Sequence, residues 1–158
     1  MRTLIALAGA VAALALPAQA LADDGGAEVG VKVTGSPAYV LDGCRTVDVY
    51  RYGEDIFGFE VYRFHHVKRW CWDYPRITSV AAWTYVSHVD PNMVYGGVVG
   101  GSTRFYTWCC SNGRSGHYSF RQGKFQNCFV WIACTRTEYP WVKIWAHANG
   151  TYAWTTGV

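Results

Sequence analysis

Residues 45–72 read RTVDVYRYGEDIFGFEVYRFHHVKRWCW, and this stretch decides the fold class. Residues 46–50 alternate between polar and apolar or aromatic side chains, which is the period of a half-buried strand. Gly53-Glu54-Asp55 has the composition of a turn. The segment from Phe57 to Trp72 is long, free of proline and rich in aromatic and branched residues. The stretch therefore predicts two strands joined by a turn, and no helical period competes with it.

The same pattern continues toward the C-terminus in short strand-like runs separated by turn residues. These turn residues include Asp90-Pro91-Asn92. They also include a glycine cluster at 96–101 that favours a loop or a bulged edge strand. Many short strands with regular turns are typical of two-layer or barrel proteins. We predict an all-β, disulfide-stabilised domain, an antiparallel two-sheet β-sandwich, with a small β-barrel as the alternative. The further runs are 77–89, 103–110, 117–121, 125–133, 141–148 and 151–156.

Composition limits the protein to one modest globular domain. The chain has 158 residues, 51% of them hydrophobic and 16% aromatic, which is too apolar for a disordered protein. The formal net charge is only +3, without a dense run of lysine and arginine, so nucleic acid is not an expected partner. Phosphate-binding, dinucleotide-binding and local catalytic motifs are missing from the sequence, so we expect no cofactor and favour a non-catalytic protein.

The N-terminus has the features of a secretory signal peptide. Arg2 precedes an apolar run from Leu4 to Leu16, and the small-x-small pattern Ala18-Gln19-Ala20 follows. The apolar run is too short to cross a bilayer of about 30 Å. We therefore expect a secreted protein without a membrane span in its mature form, and the alanine-rich leader favours a bacterial source. The expected division is a signal peptide, a flexible leader able to add an edge strand, and a single β domain, at residues 1–22, 23–40 and 41–158.

All the cysteines lie after the predicted signal peptide. They are Cys44, Cys71, Cys109, Cys110, Cys128 and Cys134. An even number in an exported chain predicts disulfides. Cys128 with Cys134 is the first candidate pair because the two are close in sequence, and Cys44 with Cys71 is the second. Adjacent Cys109 and Cys110 would point to opposite faces of a strand, so their state stays open. Zinc-type spacings are missing, and we expect no metal site.

The final predicted hairpin carries the candidate binding residues. A two-residue type I′ turn at Asn149-Gly150 would place Trp145 opposite Trp154. One face of the hairpin would then carry Lys143, Trp145, His147, Tyr152 and Trp154. If this face points outward, it forms a flat aromatic platform of the kind that stacks on sugar rings or meets a partner. If it points inward, the rings are core, which is the commoner place for aromatic residues of strands.

Two other functional classes remain open from the sequence. A small secreted hydrolase would use paired carboxylates, or a histidine hydrogen-bonded to an acid, and its first candidates are Glu60, Asp73, His88 and Asp90. His65 and His66 are adjacent on a strand, so one is expected on each face. A secreted inhibitor or toxin would present a contact loop held rigid by a bridge between Cys128 and Cys134.

Several short elements resemble small secreted β-rich proteins of actinobacteria, a group without an assigned activity. These elements are Trp70-Cys71, the run Ser119–Phe125 that leads to Cys128, then Cys134, and Tyr139-Pro140-Trp141-Val142. The resemblance covers roughly residues 44–150, and the Cys109-Cys110 pair departs from it. It implies compartment and architecture only. The sequence thus favours a secreted, non-catalytic binding module that recognises glycan, cell-envelope material or another extracellular protein through aromatic residues.

Overall fold

A computed structural model describes residues 29–110, 113–129 and 133–158 of the chain. The predicted signal peptide at 1–22 and the first part of the predicted leader lie outside these ranges. The described residues form β-strands, and they contain no helix that could cross a membrane. The strands are β1 (Val29–Gly35), β2 (Asp42–Glu54), β3 (Glu60–Asp73), β4 (Arg76–Ser87), β5 (Met93–Tyr106), β6 (Gly116–Phe129), β7 (Ala133–Glu138), β8 (Trp141–His147) and β9 (Tyr152–Gly157).

The strands form two antiparallel sheets that pack face to face. Sheet A has the order β1-β2-β3-β4, and sheet B has the order β5-β6-β8-β9 with β7 also paired to β6. The sheets do not close into a barrel, so the predicted two-sheet sandwich is confirmed and the alternative barrel is not formed. Val29–Gly35, within the segment expected as a leader, is an edge strand of sheet A.

Each sheet is built from one continuous half of the chain. Sheet A ends at Ser87, sheet B begins at Met93, and residues 88–92 connect them. In sheet B, β7 and β8 lie one after the other along the same side of β6, which pairs through Phe125–Phe129 with β7 and through Gly116–Gln122 with β8. The glycine cluster at 96–101 belongs to β5, where the register shifts twice, so the predicted bulged edge is present.

The core lies between the sheets and follows the two-residue period of the strands. Alternate residues of β3 point inward and are buried, including Tyr62, Phe64 and Trp70. They meet buried side chains of sheet B such as Phe125, whose ring stacks on Tyr62 with centroids 3.9 Å apart. The indole Nε1 of Trp70 donates a hydrogen bond to the His147 carbonyl at 3.1 Å. Aromatic residues of β3 thus join the two layers.

The centre of this interface is polar. Lys68 occupies the inward phase of β3 and is fully buried, and its Nζ donates to the carbonyl oxygens of His117 (2.5 Å) and Ile144 (3.1 Å) in sheet B. The Nε2 of buried His66 lies 2.9 Å from the Ser119 hydroxyl. Burial, together with the charge of Arg121, lowers the pKa of Lys68 to about 7, and burial lowers that of His66 to about 4.

Both cysteine pairs expected from the sequence lie at disulfide distance. Cys44 and Cys71 face each other across β2 and β3 with an S–S distance of 2.01 Å. Cys128 and Cys134 join β6 to β7 at 2.03 Å. Cys109 and Cys110, whose state the sequence left open, lie in the loop after β5 with their sulfur atoms 2.7 Å apart.

Candidate functional site

The turn between β8 and β9 is one residue longer than predicted. Gly150 N donates to the His147 carbonyl at 3.1 Å, and His147 N donates to the Thr151 carbonyl at 2.9 Å. Because His147 is paired with Thr151, the connection has three residues, 148–150, instead of the two of a type I′ turn. It ends in Gly150, whose φ of +78° is left-handed. Asn149 supports the loop by accepting a hydrogen bond from Thr151 N.

This extra residue corrects the predicted binding face. A shift of one residue moves every side chain of a strand to the other face. β9 therefore pairs Ala153 with Trp145, and Trp154 with Ile144. Tyr152 and Trp154 pack against the core, whereas Lys143, Trp145 and His147 remain on the outer face. The five predicted residues are thus divided between two faces, so the predicted face of five does not exist as such.

The outer face of sheet B nevertheless carries a larger aromatic surface, which we call the sheet B aromatic face. It consists of Tyr106, Trp108, Tyr118, Phe120, Trp141 and Trp145. Tyr118 and Trp145 are cross-strand partners with ring centroids 5.4 Å apart, and the centroids of Phe120 and Trp141 are 6.4 Å apart. Trp108 is 42% exposed and the other five are half-buried, so the rings form a continuous surface that solvent reaches.

Two glycines allow rings of this surface to lie flat on the sheet. A Cβ built at Gly116 would overlap the ring of Tyr106, and one built at Gly157 would overlap the indole of Trp141. Each glycine is the cross-strand partner of the residue that covers it. The close approach of ring to backbone explains why these positions suit glycine.

Two cationic side chains lie over these rings, and no acidic side chain of the described ranges does. Arg104 lies over Tyr118 with its Cζ 5.5 Å from the ring centroid. The Nζ of Lys143 lies 4.5 Å from the Trp141 centroid and 5.9 Å from that of Phe120. Glu138 is the only acidic residue of the chain after position 90, and it accepts a hydrogen bond from Tyr62 and pairs with Arg136. The sheet B aromatic face therefore carries positive charge.

His147 lies at one end of this surface and is neutral at ordinary pH. Its ring stacks on Trp108 with centroids 4.3 Å apart, and its Nδ1 is 2.8 Å from the Thr151 hydroxyl. Burial, with a smaller contribution from the charge of Lys68, lowers the pKa of His147 to about 4. It therefore adds another flat ring to the surface, and not a charge.

The residues proposed for a hydrolase are only partly brought together. Glu60, His88 and Asp90 line one small cleft beside the connection between the sheets, whereas Asp73 lies at the other end of β3. Glu60 is paired with Arg63 at 2.6 Å, so its charge is balanced. Among the described residues, no group of three or more His, Cys, Asp or Glu is placed to hold a metal ion.

Most of the sheet B aromatic face was not identified from the sequence. Lys143, Trp145 and His147 were proposed, but of the remaining rings four come from β5, β6 and the loop after β5, and Trp141 is the first residue of β8. The alternation of Tyr118 and Phe120 with inward residues in β6 was a usable signal. Recognising it required the pairing of β6 with β8, which a single sequence does not supply. For the inhibitor alternative, residues 130–132 of the bridged loop lie outside the described ranges.

Comparison of the chain with protein-family models, curated proteins and solved structures finds no match in any of the three.

Proposed function

We propose that the protein is a secreted binding module that recognises acidic glycan chains through the sheet B aromatic face. The observation that supports this proposal is a continuous outer surface of six aromatic rings with Arg104 and Lys143 seated among them. Among the residues that the structure describes, no Asp or Glu side chain is part of this surface. Large exposed apolar patches with a polar rim mark binding sites on soluble proteins.

A glycan fits this surface better than a purely apolar partner. Tyrosine and tryptophan combine a flat apolar ring with a polar group, and they suit ligands that are apolar on one face and polar at the edge. Sugar rings have this character. Arg104 and Lys143 would attract carboxylate, sulfate or phosphate groups on the same chain, since complementary charge favours association.

Export is supported by two features. The N-terminal residues have the composition of a signal peptide. The two cysteine pairs at disulfide distance suit an oxidising compartment. We therefore place the proposed glycan partner outside the cytoplasm, in the cell envelope or the extracellular medium.

Trp145→Ala is expected to weaken binding to an acidic polysaccharide at least about tenfold, because it removes a ring from the centre of the surface. The measurement is affinity electrophoresis of the purified protein in native gels that contain polygalacturonate. The matched control is Trp83→Ala, which removes an indole that is 44% exposed on the outer face of sheet A. It should leave the retardation unchanged. Equal effects of the two substitutions, or the lack of any retardation of the native protein, would contradict the proposal.

Lys143→Gln is expected to reduce the preference for acidic over neutral polysaccharide, because it removes one of the two cations seated on the rings. Retardation by polygalacturonate should fall several-fold, while retardation by neutral dextran stays as in the native protein. Added salt should reproduce the effect through screening. A change that is equal for both polysaccharides would show that the lysine does not select for charge.

A further inference from the structure

Three polar side chains are linked in a line across the outer face of sheet A. Asp48 of β2, His65 of β3 and Ser87 of β4 come from neighbouring strands. His65 Nδ1 is 3.0 Å from Asp48 Oδ1, and His65 Nε2 is 2.9 Å from the Ser87 hydroxyl oxygen. An acid, an imidazole and a hydroxyl in this order form the arrangement that activates serine as a nucleophile, and it is recognised by geometry and not by spacing in the sequence.

Aromatic neighbours hold the imidazole in this orientation. The ring of Tyr85 stacks on His65 with centroids 4.0 Å apart, and Tyr50 contacts it at 4.9 Å. The Tyr85 hydroxyl also donates to Asp48 Oδ2 at 2.6 Å. His65 is only 5% exposed, so the ring cannot turn freely in solvent. An ordered base of this kind is what nucleophilic catalysis requires.

The protonation pattern suits proton transfer from Ser87. Although burial acts to raise it, hydrogen bonds from His65 and Tyr85 hold the pKa of Asp48 below its ordinary value. A carboxylate can only accept hydrogen bonds, so the proton of a neutral His65 ring lies on Nδ1. Nε2 then faces the Ser87 hydroxyl with its lone pair.

A second histidine–serine pair in the same protein provides an internal comparison. His66 Nε2 is also 2.9 Å from a serine hydroxyl, that of Ser119. That pair is buried between the sheets, and the Nδ1 of His66 faces the Trp83 carbonyl oxygen at 3.2 Å instead of a carboxylate. Only the outer pair combines an acid with a place that a reagent can approach.

Ser87 lies next to a concave part of the surface. It is the last residue of edge strand β4, and the cleft lined by Glu60, His88 and Asp90 begins at the following residue. Arg63 is the cross-strand partner of Ser87, so a guanidinium lies on the same face as the hydroxyl. This guanidinium is paired with Glu60 at 2.6 Å, so it can donate to a carbonyl oxygen under attack only by exchanging that partner. The face is otherwise open, which suits an ester carried on a large molecule.

We propose that Ser87, with His65 as base and Asp48 as positioning residue, is an acyl-transfer centre for carboxylic esters. The Ser87 oxygen forms a bond to the acyl carbon while His65 Nε2 takes the hydroxyl proton. The bond from that carbon to the alcohol oxygen breaks, and the alcohol leaves with the proton from His65. Water then attacks the acyl-serine, and the products are a carboxylic acid and free Ser87. This reaction is separate from glycan binding, because it uses the opposite outer face of the sandwich.

The test is covalent labelling of the whole folded protein with a fluorophosphonate probe, followed by intact mass and peptide mapping. The expected result is one adduct per chain, located on Ser87. Ser87→Ala should abolish it, and His65→Gln should slow labelling about 100-fold. Ser79→Ala, which removes an exposed serine elsewhere on β4, should leave the rate unchanged. The labelled protein should also release p-nitrophenol from p-nitrophenyl acetate more slowly than the unlabelled protein.

Further measurements distinguish a loss of labelling from misfolding and from a loss of glycan binding. Each variant is checked by circular dichroism and by retardation in polygalacturonate gels, which Ser87→Ala should not alter, while Trp145→Ala should not alter labelling. Asp48→Asn should shift the imidazole proton of His65 away from Nδ1, seen by ¹⁵N NMR, as well as slow labelling. No adduct on the native folded protein, or an adduct that persists in Ser87→Ala, would overturn the proposal.

Discussion

Replacing Trp70 by alanine is expected to lower the free energy of unfolding by about 3–5 kcal/mol, which approaches the whole stability of many domains. Trp70 is fully buried between the sheets, and its Nε1 donates to the His147 carbonyl. The substitution leaves a cavity and removes one of the two hydrogen bonds that this carbonyl oxygen accepts, the other coming from Gly150 N. The measurement is urea unfolding followed by circular dichroism at pH 7.

The control is the same substitution on the outer face. Trp145→Ala removes a half-buried ring, so the expected loss is no more than about 1 kcal/mol. If Trp70→Ala does not yield folded protein, Trp70→Phe keeps most of the buried area and should show an intermediate loss. Equal losses at positions 70 and 145 would mean that Trp145 is wrongly assigned to the outer face of sheet B.

Acid is expected to destabilise the protein strongly between about pH 6.5 and pH 4. Burial first, and then the charges of Lys68 and Arg121, lowers the pKa of His117 to about 4, and burial does the same to His66. The unfolded chain binds protons at these residues near the ordinary value of 6.5. As the pH falls through this window, the unfolded state gains protons that the folded state does not take up, so stability falls. Shifts of this size correspond to about 3 kcal/mol for each residue.

Lys68 adds a second pH window of the same sign. Its pKa in the folded protein is about 7, against an ordinary value of 10.5. Between these values the unfolded chain holds a proton that the folded chain has lost, so stability rises with pH. Below pH 7 the buried ammonium is charged and held only by two carbonyl oxygens.

Urea unfolding at half-unit steps from pH 4 to pH 9 measures both windows. The free energy of unfolding is expected to rise by several kcal/mol between pH 4 and pH 6.5, and to rise again above pH 7. Lys68→Met should remove the second rise, and it should reduce the first only slightly, because burial is the main cause of the low pKa of His117 and the charge of Lys68 contributes less. Ser79→Ala, at an exposed residue that does not titrate, should leave the whole curve unchanged. A flat curve for the native protein would contradict the burial of these groups.

The strand pattern and the bridges were accessible from the sequence. The alternation at 46–50 and the proline-free aromatic run that ends at Trp72 gave β2 and β3, although β3 begins at Glu60, after a loop of exposed Ile56, Phe57 and Phe59. The alternation of polar and apolar residues predicts these strands well because one face of each sheet is buried and the other faces solvent.

The register of the last hairpin was not accessible, and the candidate site depended on it. Asn149-Gly150 suits both a two-residue type I′ turn and a longer loop that ends in a left-handed glycine. The signal that was missed is the size of the paired side chains, since a small residue of β8 leaves room in the core for a large residue of β9. Small Ala146 pairs with Tyr152, and that pairing fills the core. Large residues of β9 therefore belong on the inner face.

The polar contacts across strands were also beyond the sequence. Asp48 and Ser87 lie 17 and 22 residues from His65, and only the registers of two separate strand pairs bring them together. Lys68 shared the inward phase of Tyr62 and Trp70, but a lysine in a strand is usually on the surface. The burial of Lys68 becomes understandable only when the packing of the two sheets is known, because its hydrogen-bond acceptors are carbonyl groups of sheet B.

The arrangement of each sheet as one continuous half of the chain has a consequence for how the molecule can be divided. Within the described residues, both cysteine pairs at disulfide distance lie inside a sheet, and the peptide from 88 to 92 is the covalent link between the layers. A single nick there would yield two fragments, each with its own bridge, that reassociate through the buried contacts alone. The gene could be split at this point and the halves expressed separately, with complementation reporting on the strength of the interface.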